Sequence, residues 1–254
     1  MSSSSFVPEP IRINPNLDLT KLAASYRLKN RLQIRDFLVP QSAEALHKLL
    51  QTLSWSLAYN QGTQVIQLGQ ERLVRLTRLE FERIREAVRR GAVEGFQFCY
   101  SLFPLLSAYF DPSAPFHPIF GLFEWLNGPE FLGFVRTVTG LEQISWADGQ
   151  ATSYGPGNFL KYHTDETPSQ QREAAYVLNF TPNWGRDWGG QLQFFDENYD
   201  VEQGLRPLFN AINLFTVPMD HSVSMVVPYA PRSRMSVTGW LRSDSPPGAI
   251  PWSR

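Results

Sequence analysis

The sequence predicts a mainly β fold with supporting α-helices, a barrel or jelly-roll core flanked by helices. Two observations on texture and one on continuity predict it. After Gly140 the chain breaks into about eight strand-length runs separated by turn residues, as in an all-β barrel or jelly roll. Before Gly140, helical spacings of apolar residues dominate. No repeat and no flexible linker separates the two halves. At about 100–200 residues per domain, the 254 residues admit one large domain or two small ones. The continuity favours one, spanning 17–254, with helix-rich support over about 17–140 and the jelly-roll core over about 141–242.

Residues 1–16, rich in Ser, Pro and Asn, read as a tail or a strap over the surface. Leu19 to about Asn30 is weakly helical, and Arg31–Phe37 alternates as a half-buried strand does. Helical spacing returns at Ala43, Leu46, Leu49 and Leu50 after Pro40, which suits a first helical turn. Trp55–Asn60 and Thr63–Leu68 read as strands joined at Asn60-Gln61-Gly62. Leu73, Leu76, Leu79, Phe81, Ile84 and Val88 predict one long amphipathic helix over Glu71–Arg90, ended by Gly91. Residues 116–139 read as two short buried helices broken at Asn127-Gly128-Pro129. The predicted strands of the second half are Gln143–Ala147, Gln150–Tyr154, Phe159–Tyr162, Ala174–Phe180, Gln191–Phe195, Ala211–Val217, Ser222–Val227 and Arg234–Leu241.

Charge bounds the function. Lys+Arg 23 against Asp+Glu 24 leaves a formal net charge of −1, with 43% hydrophobic residues. So even a balance lacks the basic footprint of a nucleic-acid or anionic-membrane binder, and the apolar content argues against disorder. The apolar stretch Phe96–Phe110 is interrupted by polar residues and Pro104, short of the ~20 residues a spanning helix needs. The N-terminus lacks the basic start and apolar core of a secretory signal. A single cysteine, Cys99, excludes an internal disulfide framework and a multi-Cys zinc site, so a reducing compartment, the cytoplasm, is expected.

Four histidines exist, His47, His117, His163 and His221. In His163-Thr164-Asp165 the imidazole and carboxylate fall on one side of an extended chain and can grip adjacent positions around a metal. His221, at the entrance to a later strand, can supply a third ligand. Two histidines and one carboxylate form the facial triad that suits Fe(II) and leaves positions open for a bidentate ligand and dioxygen. A His-x-Asp triplet also arises by chance, and a lone strand histidine is more often structural. The later run Arg234-Met-Ser-Val-Thr-Gly-Trp240 alternates strictly, placing Arg234, Ser236, Thr238 and Trp240 on one face. An arginine flanked by hydroxyls suits an organic carboxylate. The alternative is a solvated face whose hydroxyls serve strand propensity.

Together these residues resemble a known family. Tyr154-Gly-Pro-Gly157-Asn-Phe-Leu160-Lys-Tyr-His163-Thr-Asp165, then Trp184 and Gly189-Gly190-Gln-Leu192, then His221, then Arg234 to Trp240, look like the prolyl-hydroxylase-like branch of the 2-oxoglutarate/Fe(II) oxygenases, over about residues 140–242. The resemblance implies a double-stranded β-helix (jelly-roll) core, with His163, Asp165 and His221 binding Fe(II). It also implies that Arg234 pairs with the far carboxylate of 2-oxoglutarate, Thr238 supports it and Tyr154 lines its pocket. A second pocket tyrosine of the family has no clear counterpart: counting back from Trp184 gives Asn179, whereas matching Leu178-Asn179 points near Tyr176. The catalytic set implied is therefore His163, Asp165, His221 and Arg234. O2 and 2-oxoglutarate would be co-substrates, and 2-oxoglutarate would be decarboxylated to succinate as a C–H bond is hydroxylated.

The implied substrate is a prolyl residue in a protein or peptide, held by loops such as Gly185–Trp188 and Pro112–Pro118, with neither nucleic acid nor membrane as partner. A free amino acid or other small molecule is the alternative substrate. A non-catalytic jelly-roll binding module and a cupin-type metal enzyme are the alternative classes. Arg232 shares parity with Arg234 but sits at the strand entrance after Pro231. Lys161 can line the barrel or snorkel outward, and Arg172 can contact substrate or cap a turn. Gly155, Gly157, Gly189 and Gly190 read as turn and bulge devices, since no helix begins behind them. His47 and His117 read as structural and Cys99 as an inert core thiol.

Overall fold

The computed structural model describes residues 10–250. Of the predicted N-terminal tail or strap, residues 1–9 lie outside the described residues. Residues 10–16 run across the surface as a strap: Asn14 and Val39 donate their backbone N–H groups to Phe37 and Arg12, at 2.8 and 3.1 Å.

Seven helices and thirteen strands follow in chain order among the described residues: α1 (Leu19–Lys29), β1 (Arg31–Ile34), α2 (Pro40–Leu50), β2 (Ser56–Gln61), β3 (Gln64–Leu68), α3 (Gln70–Leu73), α4 (Arg78–Glu94), β4 (Phe98–Phe103), α5 (Leu105–Phe110), α6 (Phe120–Leu126), α7 (Pro129–Thr139), β5 (Trp146–Ala147), β6 (Gln150–Tyr154), β7 (Phe159–His163), β8 (Arg172–Asn179), β9 (Leu192–Phe195), β10 (Val201–Leu205), β11 (Ala211–Thr216), β12 (His221–Val223) and β13 (Arg234–Arg242). The strands form a nearly closed antiparallel barrel along the path β1-β11-β8-β13-β6-β4-β7-β12-β9-β10, with β2 and β3 branching from β4 and β5 from β13. Side chains bridge the seam between the end strands. Arg31 of β1 bonds Gln203 of β10 at 2.8 Å and pairs with Glu202, which Lys29 also reaches at 2.7 Å. The fold is mainly β with helical support, and no described helix is long and apolar enough to cross a membrane.

Strand alternation sorts side chains between two environments. Tyr176 and Leu178 of β8, Ile212 and Leu214 of β11, and Val237 and Leu241 of β13 face outward into a core shared with α1, α2, α6 and α7. Ala175, Val177, Phe215 and Trp240, of opposite parity, face the barrel interior. In the helix-packed core Phe131 is fully buried and meets Phe37 and Tyr176 edge-on, at centroid distances of 6.4 and 5.7 Å. Phe131→Ala is expected to cost about 3–5 kcal/mol of stability, read as a lowered urea midpoint. A loss below about 1 kcal/mol would show that α7 does not anchor the sheet.

Several elements differ from the sequence reading, each for a physical reason. The predicted helix over Glu71–Arg90 is two helices, because Thr77 and Glu80 form a reciprocal capping box that restarts the helix after a break. Gly91 does not end α4; the helix continues to Glu94, and Gly91 makes room for Gln97, whose Nε2 would lie 2.3 Å from an added Cβ. β4 and α5 occupy the apolar stretch around Pro104 that was assigned no element. β10, Val-Glu-Gln-Gly-Leu, was unassigned because an edge strand of polar residues lacks an apolar rhythm. Gln143–Ala147 shrinks to Trp146–Ala147, and β12 begins at His221 itself.

Candidate active site

The sheet brings the two histidines together. His163 closes β7, His221 opens β12, and the antiparallel register places them directly opposite, with ring centroids 4.2 Å apart. Asp165 follows in the connection after β7, with Oδ1 and Oδ2 each 3.4 Å from Nε2 of His163 and His221 respectively. The candidate ligand atoms of these three residues lie within 4.8 Å of one another. Each ring donates Nδ1–H to a backbone carbonyl two residues earlier, His163 to Lys161 at 2.8 Å and His221 to Met219 at 2.7 Å. That bond fixes the tautomer and turns the Nε2 lone pair toward Asp165, the orientation a metal requires. Burial pulls the His221 imidazole below its usual range, which favours the neutral, ligating form. Burial raises the Asp165 carboxyl, but its two imidazole neighbours, His163 and His221, outweigh burial and hold the group low.

The cluster lines a cavity of about 270 Å³ inside the barrel, together with Tyr100, Tyr154, Val177, Arg234 and Trp240. Arg234 is only 2% exposed, and its Nε and Nη1 have no hydrogen-bond partner. Its one polar contact is a 3.4 Å bond from Nη2 to Asn179 Oδ1, and its Cζ lies 5.3 Å from the Tyr154 ring centroid. Burial pulls the guanidinium down to about 10, with Tyr154 opposing, so it stays charged at neutral pH. A buried cation without an anion is costly, and here the residue that carries it lines an open cavity. The site is built to receive an anion.

The register places the remaining predicted residues. Tyr154 pairs with Arg234 across β6 and β13 and lines the cavity, stacked on Tyr100 at 4.8 Å. Thr238 also lines it, its hydroxyl donating to the Tyr176 carbonyl at 3.0 Å. Asn179 shares the inward parity of Val177 but sits behind Arg234, accepting from Arg234 and from the Ser236 hydroxyl at 3.2 Å rather than lining the cavity. Tyr176 faces the opposite way and donates to the Asp148 carbonyl at 2.7 Å. Arg232 is exposed beside Trp188, 5.9 Å from its ring centroid.

Lys161 reaches the last turn of α4, donating to the carbonyls of Ala92 and Gly95 at 2.7 and 2.5 Å. His117 accepts the Ile119 N–H at 3.1 Å, and His47 contacts Gln51. Gly189 and Gly190 have φ +69° and +66°, and a Cβ on Gly189 would lie 2.0 Å from the Met225 carbonyl oxygen, so they make a tight turn. Burial pushes the Cys99 thiol up to about 11, which keeps it un-ionised and inert. The loop Gly185–Trp188 contributes nothing to the cavity, while Pro112 and Pro118 border a separate cleft beside α5 and α6.

Residues 149–242 match the family model of the 2OG-Fe(II) oxygenase superfamily. Over those residues, which span β6 to β13, the chain resembles a 2OG-Fe(II) oxygenase domain. The mouse prolyl 3-hydroxylase OGFOD1 is 29% identical over 123 residues, 46% of this chain and 22% of that protein. The chain thus spans less than a quarter of the length of the curated relatives it matches. Two crystal structures resemble the fold. A Pseudomonas putida prolyl-4-hydroxylase has a TM-score of 0.52 at 17% identity, covering 90% of this chain and 100% of that one. A Trichoplax adhaerens prolyl hydroxylase, in complex with a hypoxia inducible factor peptide fragment, has a TM-score of 0.51 at 14% identity and covers 89% of each. The matched segment is similar to the prolyl 3-hydroxylase and the fold to the two prolyl hydroxylase structures, and the 2OG-Fe(II) oxygenases as a family use Fe(II), 2-oxoglutarate and O2.

The donors of the oxygenase domain fit that set. Two imidazole nitrogens and a carboxylate suit Fe(II), and the guanidinium, which lacks an anionic partner, suits a dicarboxylic acid. Two features at or beside the site are absent from the sequence reading. Tyr100 lay in the unassigned apolar run, although the alternation Phe98, Tyr100, Leu102 would have placed it inward. Asp148, 4% exposed, accepts the Trp240 N–H at 2.6 Å and faces Arg242 at 3.4 Å.

Burial pushes Asp148 up to about 6, above its ordinary 3.8, against the pull of the Trp240 N–H and Arg242. A folded value above the unfolded one means that this group favours the fold at low pH. Its contribution falls as pH rises from 3.8 to about 6 and is flat above. Asp148→Asn removes that slope. Measured by thermal unfolding, the variant should gain on the parent as pH rises through this window, with a constant difference above it. A pH-independent difference would contradict the assignment.

Proposed function

We propose that this protein is an Fe(II)- and 2-oxoglutarate-dependent hydroxylase whose substrate is a prolyl residue in a protein or peptide. His163, Asp165 and His221 hold the iron, Arg234 captures the far carboxylate of 2-oxoglutarate, and Thr238 and Tyr154 line its pocket. The observation that carries this reading is one cavity that joins three converging ligand atoms to a buried guanidinium with free donors. When bound, iron would supply oxidative decarboxylation of 2-oxoglutarate to succinate and CO2, coupled to C–H hydroxylation.

The chain's own share is placement and exclusion. The Nδ1 bonds to Lys161 and Met219 aim both imidazoles, and the Asp165 carboxylate offsets metal charge. Arg234 orients the dicarboxylate by a charge-assisted, two-pronged bond, steadied by Asn179 from behind. Leu192, Val177 and Phe215 form the apolar wall that keeps bulk water out. A prolyl substrate is supported by the likeness to the mouse and Pseudomonas prolyl hydroxylases, and a peptide by the Trichoplax complex. The single unreactive thiol fits a reducing compartment, and we place the protein in the cytoplasm.

Mixing Fe(II) and 2-oxoglutarate with the protein under anaerobic conditions should give the weak visible charge-transfer band of the chelate. In air, proline-containing proteins should gain one oxygen on proline, by mass spectrometry, with an equivalent of succinate. Folded protein that gives no band would reject the oxygenase reading. A band with succinate but no mass gain on proline in any protein would reject the prolyl substrate alone.

A further inference from the structure

The three candidate ligands are not held alike. Both histidines have an orienting hydrogen bond of their own from Nδ1 to a carbonyl, whereas the Asp165 carboxylate touches only the two histidines within its cluster. Asp165 also lies past the end of β7, where no ladder bond fixes it. Something outside the cluster must set its orientation before a metal arrives.

Two side chains are placed to do so. Arg172, at the start of β8, donates Nη1 to the Asp165 backbone carbonyl at 2.9 Å, while its Nε is held by Gln170 Oε1 at 2.8 Å. The same guanidinium lies over the Trp240 ring, its Cζ 3.4 Å from the ring centroid. Trp240 is fixed in turn by its backbone N–H, which donates to the buried Asp148 carboxylate at 2.6 Å. Its indole Nε1 is buried and lacks a bonded acceptor. Trp240 and Asp165 line the same cavity, so this N–H is the unpartnered donor available to the carboxylate.

We propose that Arg172 and Trp240 are positioning residues that clamp Asp165, Arg172 by its backbone and Trp240 by its carboxylate, and so preorganise the metal site. The proposal rests on the reading of His163, Asp165 and His221 as metal ligands. It assigns Arg172 to the metal rather than to substrate. Partners of this kind outside the ligand set typically change metal affinity about 10–100-fold.

The test is titration of the metal-stripped full chain with Mn(II), followed by its electron paramagnetic resonance signal, for the parent, Arg172→Gln, Trp240→Phe and the double variant. Trp240→Phe keeps a ring under the guanidinium and removes only the N–H. Arg172→Gln should weaken Mn(II) binding about 10–100-fold and Trp240→Phe by less, with the double variant weaker by less than the product of the two effects, as for members of one unit. The Kd for 2-oxoglutarate at saturating Mn(II) should stay unchanged, which a general loss of structure would not allow.

Parent-like Mn(II) affinity in both single variants, within about twofold, would overturn the clamp. So would a raised peptide KM with unaltered metal affinity in Arg172→Gln, which would make Arg172 a substrate contact. If Arg172→Gln fails to fold by circular dichroism, Trp240→Phe alone decides. A parent chain that binds no Mn(II) at all would reject the metal site itself, a result distinct from equal binding in every variant.

Discussion

Asp165→Ala is expected to eliminate both the anaerobic charge-transfer band and turnover, with metal affinity lowered well beyond the roughly 10–100-fold typical of residues that only support a ligand. The substitution removes the one anionic donor of the cluster and leaves two neutral imidazoles, which cannot offset a dication in a half-enclosed cavity. The same change should leave the metal-free fold intact, because the ion contacts of the carboxylate are confined to His163 and His221. The measurement is therefore paired: thermal unfolding without metal, where parent and variant should agree, and with excess Mn(II), where only the parent should gain stability. A variant still stabilised by Mn(II) to the parent's extent would show that another group binds the ion.

Much of this site was legible in the sequence because strand parity is a local property. Arg234, Thr238 and Trp240 alternate with Met235, Val237 and Leu241, and the structure divides them along that line between cavity and helix-packed core. The same parity decides between Asn179 and Tyr176. Both belong to β8, but only Asn179 lies on the inward face, so it backs Arg234 while Tyr176 packs under the helices.

What was not legible depends on pairing between distant segments. The approach of His221 to His163 is a register between β12 and β7, and no feature near His221 encodes it. The clamp on Asp165 likewise needs the start of β8 to meet the far end of β13, through Arg172 and Trp240. Local signals misled where they were stronger than periodicity. The Leu73, Leu76, Leu79 spacing runs straight through the Thr77 cap, and Gly91 resembles a helix stop but serves Gln97.

Arg234→Ala is expected to raise the 2-oxoglutarate requirement by roughly 30- to 5,000-fold, the range that follows from about 2–5 kcal/mol for truncating one partner of a buried charge pair. Arg232→Ala should change it by less than about threefold, the small effect of an exposed charge. The contrast follows from placement: Arg234 keeps two unpaired nitrogens at the cavity wall, whereas Arg232 is exposed and donates only a long 3.5 Å bond to the Pro182 carbonyl. A second signature separates loss of a binding group from general damage. In the ligand-free protein Arg234 is a buried cation with no anion, so replacing it by Met, of comparable length and without charge, should raise the melting temperature. Parent protein should then overtake that variant only when 2-oxoglutarate is added, since ligand binding to the native state alone stabilises it. Equal stabilisation of parent and Arg234→Met by 2-oxoglutarate, or a larger effect from Arg232→Ala, would move the carboxylate site away from Arg234 and leave its two free donors without an explanation.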